Sequence, residues 1–280
     1  MQNAKFTNTQ KNKYGKQVNK VIEIKDLTMD FGGLRAVDHV NMHAGEKEIV
    51  ALIGPNGAGK TTVFNCITGI YSPSRGNVLI QPKTDRKQES ITRFKPHKIT
   101  SKGLARTFQN IRLFQNMTVL ENIMVGRHCR LKAGIIGAIF RDKKTRIEEE
   151  KIIHDSIEIL KKIGIDKYIN ELAKNLPYGA QRRLEIARAL ATDPFILLLD
   201  EPAAGMNPLE TKELDDLIVR LRDTEKITIL LIEHDMSLVM SLSDRIYVMD
   251  YGKLIAEGGP EQIRHSDEVI KAYLGDDFHA

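Results

Sequence analysis

The sequence predicts an α/β fold in which helices pack on a mainly parallel sheet. In residues 48–70 a short apolar run is followed by a glycine-rich loop and then by apolar residues at helical spacing. In residues 195–249 three apolar, buried-type strands alternate with two helical segments, and such alternation is typical of a parallel sheet. A predominantly helical stretch, from about Lys102 to Leu190, separates these two regions.

Composition places the chain among ordinary globular proteins. Of its 280 residues, 41% are hydrophobic and 28% are charged, which is typical of a protein with a sizeable core. The longest apolar run, residues 133–140, is much shorter than the ~20 residues that a membrane-spanning helix needs. Cys66 and Cys129 form no disulfide framework, and the N-terminus lacks the apolar segment of a secretion signal. These features favour a reducing cytoplasm and argue against a membrane span.

The net charge of +5 is concentrated in two basic patches. Residues 1–20 contain five lysines and no acidic residue, so this segment accounts for the whole excess. Residues 83–102 contain seven lysines and arginines against Asp85 and Glu89. Aromatic residues do not alternate with these charges, as they would on a surface that binds single-stranded nucleic acid. We interpret both patches as solvated, and contact with anionic lipid headgroups beside a membrane partner is the alternative.

The first part of the chain predicts a disordered tail followed by strands. Residues 1–20 are polar and basic, with almost nothing to bury, and are expected to be disordered. Asp30–Gly33 is a predicted turn that places Phe31 at a strand end, and residues 81–96 are a predicted polar loop or hairpin. The expected strands are Val21–Leu27, Leu34–Met42, Glu48–Ile53 and Gly76–Ile80.

The rest of the chain predicts helices and then strands again. Thr118 and Glu121 form a capping box, and Gly164 ends a strongly amphipathic helix. The expected helices are Met117–Met124, Arg146–Ile163, Gly179–Leu190, Leu209–Leu221 and Met236–Leu242, with a final short helical region from Pro260. The expected strands are Phe195–Leu199, Ile227–Ile232 and Arg245–Met249, followed by an edge hairpin at Gly252–Glu257.

Residues 54–62, Gly-Pro-Asn-Gly-Ala-Gly-Lys-Thr-Thr, fit the phosphate-loop pattern G-x-x-x-x-G-K-[ST]. The glycines let successive backbone N–H groups point at phosphates, and the following helix adds the positive end of its dipole. Lys60 can reach the β- and γ-phosphates, and the Thr61 hydroxyl can ligate Mg²⁺. The alternative is a glycine-rich turn that binds nothing. The strand before the loop and the helix after it favour nucleoside triphosphate binding.

Asp200 and Glu201 directly follow five apolar residues, 195–199. Buried carboxylates at a strand end are costly unless a cation or hydrogen bonds receive them. The first acid is expected to hold the Mg²⁺ shell, and the second to activate a water at the γ-phosphate. The alternative is an exposed acidic turn before Pro202.

Three further segments carry weaker signals. His234 follows another apolar run and is interpreted either as structural or as a hydrogen-bond donor to the γ-phosphate or the attacking water. Gln109 can ligate Mg²⁺ through its amide oxygen, but by itself it is only a polar residue in a loop. Residues 176–183 form a glycine-containing turn that leads into a helix, which is a possible anion site.

Together these motifs resemble those of the ATP-binding cassette (ABC) ATPases over residues 21–280. The resemblance implies a P-loop NTPase core of the RecA-like type, with an antiparallel β subdomain and an inserted α-helical subdomain at about residues 102–190. It implies ATP and Mg²⁺ as cofactors. Glu201 and His234 take the places of the catalytic glutamate and the switch histidine, and Thr61, Gln109 and Asp200 those of the metal ligands. The implied nucleotide contacts are Phe31, Gly54, Pro55, Asn56, Gly57, Ala58, Gly59, Lys60, Thr61, Thr62, Tyr178, Gly179, Ala180 and Gln181.

Two departures from the family pattern concern this site. Pro177-Tyr178 replaces Leu-Ser in the signature, usually L-S-G-G-Q, so the γ-phosphate contact made by the serine hydroxyl is missing; backbone N–H groups and the phenol are the expected substitutes. Asn207 stands where the family often has Asp.

Several stretches are similar to the ATP-binding subunit of branched-chain (hydrophobic) amino acid importers: Phe31–Val37, Ala105–Gln109, Tyr178–Arg188, Glu201–Gly205 and Ala272–Gly275, with an insertion at residues 134–140. The resemblance implies a peripheral ATPase at the cytoplasmic face of the membrane. Its implied partners are a second ATPase subunit, identical or a sister chain, transmembrane permease subunits and, indirectly, a solute-binding protein.

The same resemblance implies that an ATP site closes only between the phosphate loop of one copy and the signature of another. Alternatives are an importer of urea or amides, an exporter, and a soluble ABC protein acting on nucleic acid or ribosomes. The single cassette and the lack of heptads disfavour the last, and no nucleic-acid partner is expected.

Overall fold

The computed structural model describes residues 19–82, 87–127 and 143–274, and its α/β architecture confirms the predicted fold class. Within these residues ten strands form two sheets. The strands are β1 Lys20–Phe31, β2 Leu34–Gly45, β3 Ile49–Ile53, β4 Arg75–Ile80, β5 Glu89–Ser90, β6 Leu104–Arg106, β7 Ile196–Asp200, β8 Thr228–Ile232, β9 Arg245–Asp250 and β10 Lys253–Gly258.

The described helices lie mainly around the larger sheet. They are α1 Lys60–Ile67, α2 Pro96–Ser101, α3 Val119–Arg127, α4 Lys143–Ile163, α5 Tyr178–Leu190, α6 Pro208–Asp223, α7 Met236–Leu242, α8 Pro260–Arg264 and α9 Asp267–Leu274. None of these helices has the length and hydrophobicity needed to span a bilayer. Short 3₁₀ turns at residues 166–168 and 173–175 connect α4 to α5.

The six-stranded sheet has the order β10-β9-β3-β8-β7-β6 and positions the candidate site. The five strands from β9 to β6 in this order run parallel, and β10 pairs antiparallel with β9 as the predicted edge hairpin. Every residue of β3, β7 and β8 is buried, which explains why these strands have apolar sequences without alternation. Ligands of such open sheets bind at the carboxyl ends of the strands, where the phosphate loop and Asp200 lie.

The second sheet is antiparallel, with the order β2-β1-β4-β5. Its inner face shares a hydrophobic core with the larger sheet, to which both Phe64 of α1 and Tyr247 of β9 belong. The sequence predicts β1 and β2 as shorter strands, because bulges along their pairing interrupt the regular alternation of buried residues.

One strand and one helix differ from the sequence prediction. Helices were expected from about Lys102, but Leu104–Arg106 is a strand that pairs with β7 at the edge of the larger sheet, and α2 at Pro96–Ser101 precedes the predicted helical stretch. Glu89–Ser90 pairs with β4, which agrees with the hairpin alternative for residues 81–96. Leu104–Arg106 is too short to show a period. Residues 1–18 of the predicted tail, and residues 134–140 of the predicted insertion, lie outside the described residues.

Helix caps were predicted well. Thr118 and Glu121 bond each other's backbone N–H groups at the start of α3, with distances of 2.7 and 3.2 Å, so the capping box is confirmed. Gly164 has φ +75° after α4. Asn207, where the family often has Asp, caps α6 by accepting from the N–H groups of Leu209 and Glu210 at 3.0 Å. A cap needs only an acceptor oxygen, so Asn serves as well as Asp here.

Candidate active site

The phosphate loop joins β3 to α1 in a conformation that only glycine adopts without strain. Gly54, Gly57 and Gly59 have φ values of +147°, +82° and +100°. A Cβ on Gly54 would lie 2.0 Å from the Met249 backbone oxygen, and one on Gly59 would lie 2.5 Å from the Ala36 oxygen. The loop is therefore both left-handed and closely packed, and it leads directly into the N-terminus of α1, a position that attracts anions.

Lys60 is buried, with 6% of its surface exposed. Its Nζ donates to the backbone oxygens of Gly54 at 2.7 Å and Pro55 at 2.8 Å. Burial lowers the pKa of Lys60, and the nearby carboxylates of Glu201 and Asp200 oppose this effect. The ammonium group is thus held inside its own loop by two neutral carbonyls, which the negatively charged oxygens of a phosphate can replace.

Asp200 and Glu201 lie at the carboxyl end of β7, as predicted, but they have different surroundings. Asp200 is 3% exposed and forms a 2.7 Å ion pair with Arg106. Glu201 begins the loop after the strand and has φ +48°, which is uncommon for a residue with a side chain.

Gln109 and His234 meet at Glu201. The amide Nε2 of Gln109 donates to Glu201 Oε2 at 2.7 Å, and His234 Nε2 lies 2.6 Å from Oε1. Both oxygens of the carboxylate are therefore engaged, by residues 92 and 33 positions away in the chain. Each of these three residues lies in a separate motif of the sequence, and only the fold places them in contact.

Glu233 supports this cluster and was missed in the sequence. Its side chain is 4% exposed and accepts from the N–H groups of Ala203 at 2.9 Å and His234 at 3.0 Å. Burial raises the pKa of Glu233. The carboxylate fixes the two loops that follow β7 and β8 against each other. Its position between an apolar strand and His234 was the available signal.

The signature segment lies at the start of α5. Arg182 donates to the backbone oxygens of Phe108 at 3.0 Å and Gln109 at 2.6 Å. Glu185 accepts from the N–H of Phe108 at 3.3 Å and lies 3.5 Å from the Arg182 guanidinium. The loop that carries Gln109 is thus tied to the helix that carries the signature. Neither residue was singled out in the sequence.

Tyr178, whose phenol is the predicted substitute for the serine hydroxyl, forms a hydrogen bond within its own chain. The Tyr178 hydroxyl donates to the Ala204 oxygen at 2.8 Å. Its ring lies beside Gly205, where an added Cβ would be 3.3 Å from the nearest ring carbons. Gln181 Nε2 bonds Leu176 O at 2.9 Å. Among the described residues, no hydrogen bond or ion pair joins residues 54–62 to residues 178–181. The two predicted halves of the nucleotide site are separate within one chain.

Phe31, the predicted adenine contact, ends β1 and is 41% exposed. Its ring packs edge-on against Tyr71, with 5.2 Å between centroids. This packing holds an aromatic face open to solvent near the start of β2, whose Ala36 touches the phosphate loop.

The residues near the loop fit a magnesium ion by their donor chemistry. Mg²⁺ prefers carboxylate, hydroxyl and amide oxygens and retains several waters. Thr61 supplies an exposed hydroxyl, Asp200 a carboxylate with one oxygen paired to Arg106, and Gln109 an amide oxygen, since its nitrogen faces Glu201.

Comparisons with known proteins agree with this geometry. The family model described as ABC transporter matches residues 37–204, which include the phosphate loop, Gln109, the signature and both acids. The chain belongs to the ABC transporter family. A second family model, described as Branched-chain amino acid ATP-binding cassette transporter, matches residues 253–279.

Relatives of this ABC transporter chain extend over nearly its whole length. It is 50% identical over 256 residues to the high-affinity branched-chain amino acid transport ATP-binding protein LivG of Escherichia coli K12, covering 91% of this chain and 98% of LivG. It is 48% identical to the corresponding BraF of Pseudomonas aeruginosa PAO1, with the same coverage. The ADP conformation of MJ1267, an ATP-binding cassette of an ABC transporter, superimposes with a TM-score of 0.78 at 30% identity, covering 92% of this chain and 99% of MJ1267. The ABC fold and the ATPase activity expected from the sequence are confirmed.

Proposed function

We propose that the chain is the ATP-hydrolysing subunit of an importer for branched-chain amino acids and works on a separate membrane permease at the cytoplasmic face. The observation that carries the ATPase chemistry is the Glu201 carboxylate, held by Gln109 and His234 at the strand end beside the phosphate loop. The substrate class follows from the names of the relatives and from the match of residues 253–279.

Nucleotide binding uses the phosphate loop. Its N–H groups and the Lys60 ammonium receive the β- and γ-phosphates, and the two carbonyls that now hold Lys60 give way to phosphate oxygens. Phe31 offers its exposed ring to the adenine. Thr61, Asp200 and Gln109 would hold Mg²⁺, which when bound neutralises charge on the phosphates.

Hydrolysis requires a base in line with the γ-phosphate. Glu201 accepts a proton from water as the water oxygen bonds to the γ-phosphorus, and the bond from that phosphorus to the bridging oxygen of ADP breaks. His234 and Gln109 keep the carboxylate pointed at one place. His234 also places a hydrogen-bond donor where charge develops on the phosphoryl group.

A second ATPase subunit completes the site. The phosphate loop and the signature are not bonded within the described part of one chain, and α5 presents its N-terminus, a region that attracts anions. ATP bound to Lys60 of one copy is therefore clamped by residues 178–181 of another. Hydrolysis removes that bridge and lets the pair open, which gives the permease an ATP-dependent motion.

The test is uptake of radiolabelled leucine, isoleucine and valine by cells that lack the gene, with the wild-type chain or Glu201→Gln restored. We expect the wild-type chain alone to restore uptake, and thermal unfolding of the purified variant to match that of the wild type. Leucine, isoleucine and valine uptake that is unaffected by loss of the gene would contradict the proposed substrate class.

A further inference from the structure

Arg106, the last residue of β6, is an ionised side chain in the interior. Its side chain is 5% exposed, that of Asp200 is 4% exposed, and Nη2 lies 2.7 Å from Asp200 Oδ2. Such a pair repays the cost of desolvation only with good geometry and further hydrogen bonds. Arg106 obtains these from α1 and the residue after it, because Nη1 donates to Asn65 Oδ1 at 2.7 Å and to Thr68 Oγ1 at 3.2 Å.

Aromatic rings fix the plane of the same guanidinium. Its central carbon lies 5.6 Å from the centroid of the Phe64 ring and 5.2 Å from that of Phe108. The Arg106 guanidinium thus lies between α1, β7 and the start of the loop that carries Gln109. Fold stability alone does not account for it, since a buried ion pair is often no more stabilising than apolar residues of the same volume. The pair is explained if the carboxylate itself is needed at this position.

The two carboxylate oxygens of Asp200 are treated differently. Arg106 engages Oδ2, and no other side chain among the described residues pairs with the carboxylate. Asn65 and Thr68 belong to the helical segment that the phosphate loop begins and that carries Thr61. Arg106 therefore sets the position of the carboxylate relative to the helix that holds the nucleotide.

We propose that Arg106 is a positioning residue that orients the Asp200 carboxylate, with Oδ1 left for Mg²⁺ or a water on the ion. This inference rests on the proposed binding of magnesium nucleotide. Residues that orient a metal ligand typically contribute 10–100-fold to metal affinity or activity. Lysine in this place would keep the charge but lose the planar fork that bonds Asp200 and Asn65 together.

The experiment is calorimetric titration of a non-hydrolysable ATP analogue into the purified chain, once with Mg²⁺ and once with EDTA. The affinity with Mg²⁺ divided by the affinity in EDTA measures how much the metal contributes to binding. We expect Arg106→Gln to lower this ratio by about tenfold, with the affinity in EDTA within about twofold of the wild type. Arg106→Lys is expected to give an intermediate ratio.

Arg112→Gln is the matched control. Arg112 stacks on the same Phe108 ring at 4.4 Å, so the variant removes a nearby positive charge without touching Asp200, and the ratio should not change. Asn65→Leu removes a hydrogen bond that positions the Arg106 guanidinium but keeps its charge. It should also lower the ratio, and it provides the test if Arg106→Gln does not fold.

A wild-type ratio in Arg106→Gln, or in both Arg106→Lys and Asn65→Leu, would overturn the assignment of Arg106. If the wild-type chain itself binds no nucleotide under either condition, the proposed function fails instead. The two failures are therefore distinguishable in one set of titrations.

Discussion

At the scale of single residues, the candidate site depends on how carboxylates are surrounded. Glu201 is held at both oxygens by neutral or weakly basic donors, Gln109 and His234. Asp200 is paired with a full positive charge, Arg106. The adjacent acids thus have different partners, which agrees with the separate tasks proposed for them, a metal ligand for Asp200 and a base for Glu201.

Replacing Glu201 by Gln removes the base and keeps the volume. We expect ATP affinity to stay within a few fold and turnover to fall by about 10²–10⁴, because the amide cannot accept the proton of water. Phosphate release and analogue titration measure the two quantities. His265→Ala, at an exposed histidine outside the cluster, is a control that should leave turnover unchanged. Turnover in Glu201→Gln within twofold of the wild type would exclude Glu201 as the base.

Asp215 on α6 predicts a pH effect on stability. Burial, then Asp235, Asp216 and Glu233, raise the pKa of Asp215 from 3.8 to about 6. The folded state therefore holds this proton more tightly than the unfolded state, and stability falls as the pH rises from about 4 through 6. Asp215→Asn removes that loss. After discounting for its partial exposure, we expect a gain of about 1 kcal/mol above pH 6.

Chemical denaturation of Asp215→Asn at about pH 7.5 and about pH 4.5 checks this sign. The gain should be largest at the higher pH and about a third of that size at the lower one. Asp216→Asn, at the exposed neighbour, is the matched control and should show a smaller gain. A gain for Asp215→Asn that is the same at both pH values would contradict the titration of Asp215.

At the scale of elements, α5 and the loop after β6 behave as one unit. Arg182 and Glu185, 4% and 3% exposed, hold the backbone of residues 108–112 through its carbonyl and N–H groups. Gln109 in this loop reaches Glu201, while α5 begins with the signature. A shift of Gln109 is therefore transmitted to the surface that a second subunit would contact.

Removing the contacts of Arg182 and Glu185 with the Gln109 loop should slow turnover without unfolding the protein. Arg182→Met alone leaves the Glu185 carboxylate buried without its arginine partner, and we expect it to cost about 3–5 kcal/mol of unfolding free energy. The double variant Arg182→Met, Glu185→Leu should recover most of that loss, because it buries no charge. Its turnover should remain at least about tenfold low, by analogy with residues that orient a site.

Denaturation and phosphate-release assays on both variants separate stability from turnover. The partly exposed pair of Arg183 and Glu213 provides the control, and Arg183→Met should change the unfolding free energy by less than about 1 kcal/mol. Wild-type turnover in the stable double variant would show that the contact is only structural.

At the scale of the whole molecule, the parallel sheet places the phosphate loop, the two acids and His234 at the carboxyl ends of β3, β7 and β8. These strands are neighbours in the order β3-β8-β7, so groups distant in sequence share one edge. The signature instead starts α5 and bonds to Ala204 and the Gln109 loop. This arrangement supports the proposal that a second subunit completes the nucleotide site.

Turnover per chain should rise with protein concentration when the chain is assayed without a permease. The reason is that the signature reaches the phosphate loop only from another copy. Activity measured over a hundredfold concentration range, with sedimentation of Glu201→Gln in the presence of ATP, tests this. Constant activity per chain, from material that sediments as a monomer throughout, would contradict the shared site.

Much of the fold was predictable because its signals are local. The phosphate loop, the apolar strand before Asp200 and the capping box of Thr118 each lie within a few consecutive residues. β6 was missed because three residues show no period, and its pairing with β7 supplies the order that its own sequence lacks. The roles of individual site residues remain predictions for the experiments above.

The sequence by itself determined the α/β class, the phosphate loop, the pair of acids at a strand end and the family, since each is written in contiguous residues. Only the tertiary structure decided that Gln109 and His234 share Glu201, that Arg106 pairs with Asp200, and that Arg182 holds the Gln109 loop. These contacts join residues about 30 to 90 positions apart. No local pattern encodes them, because the order of strands in the sheet, not the order of residues in the chain, brings the partners together.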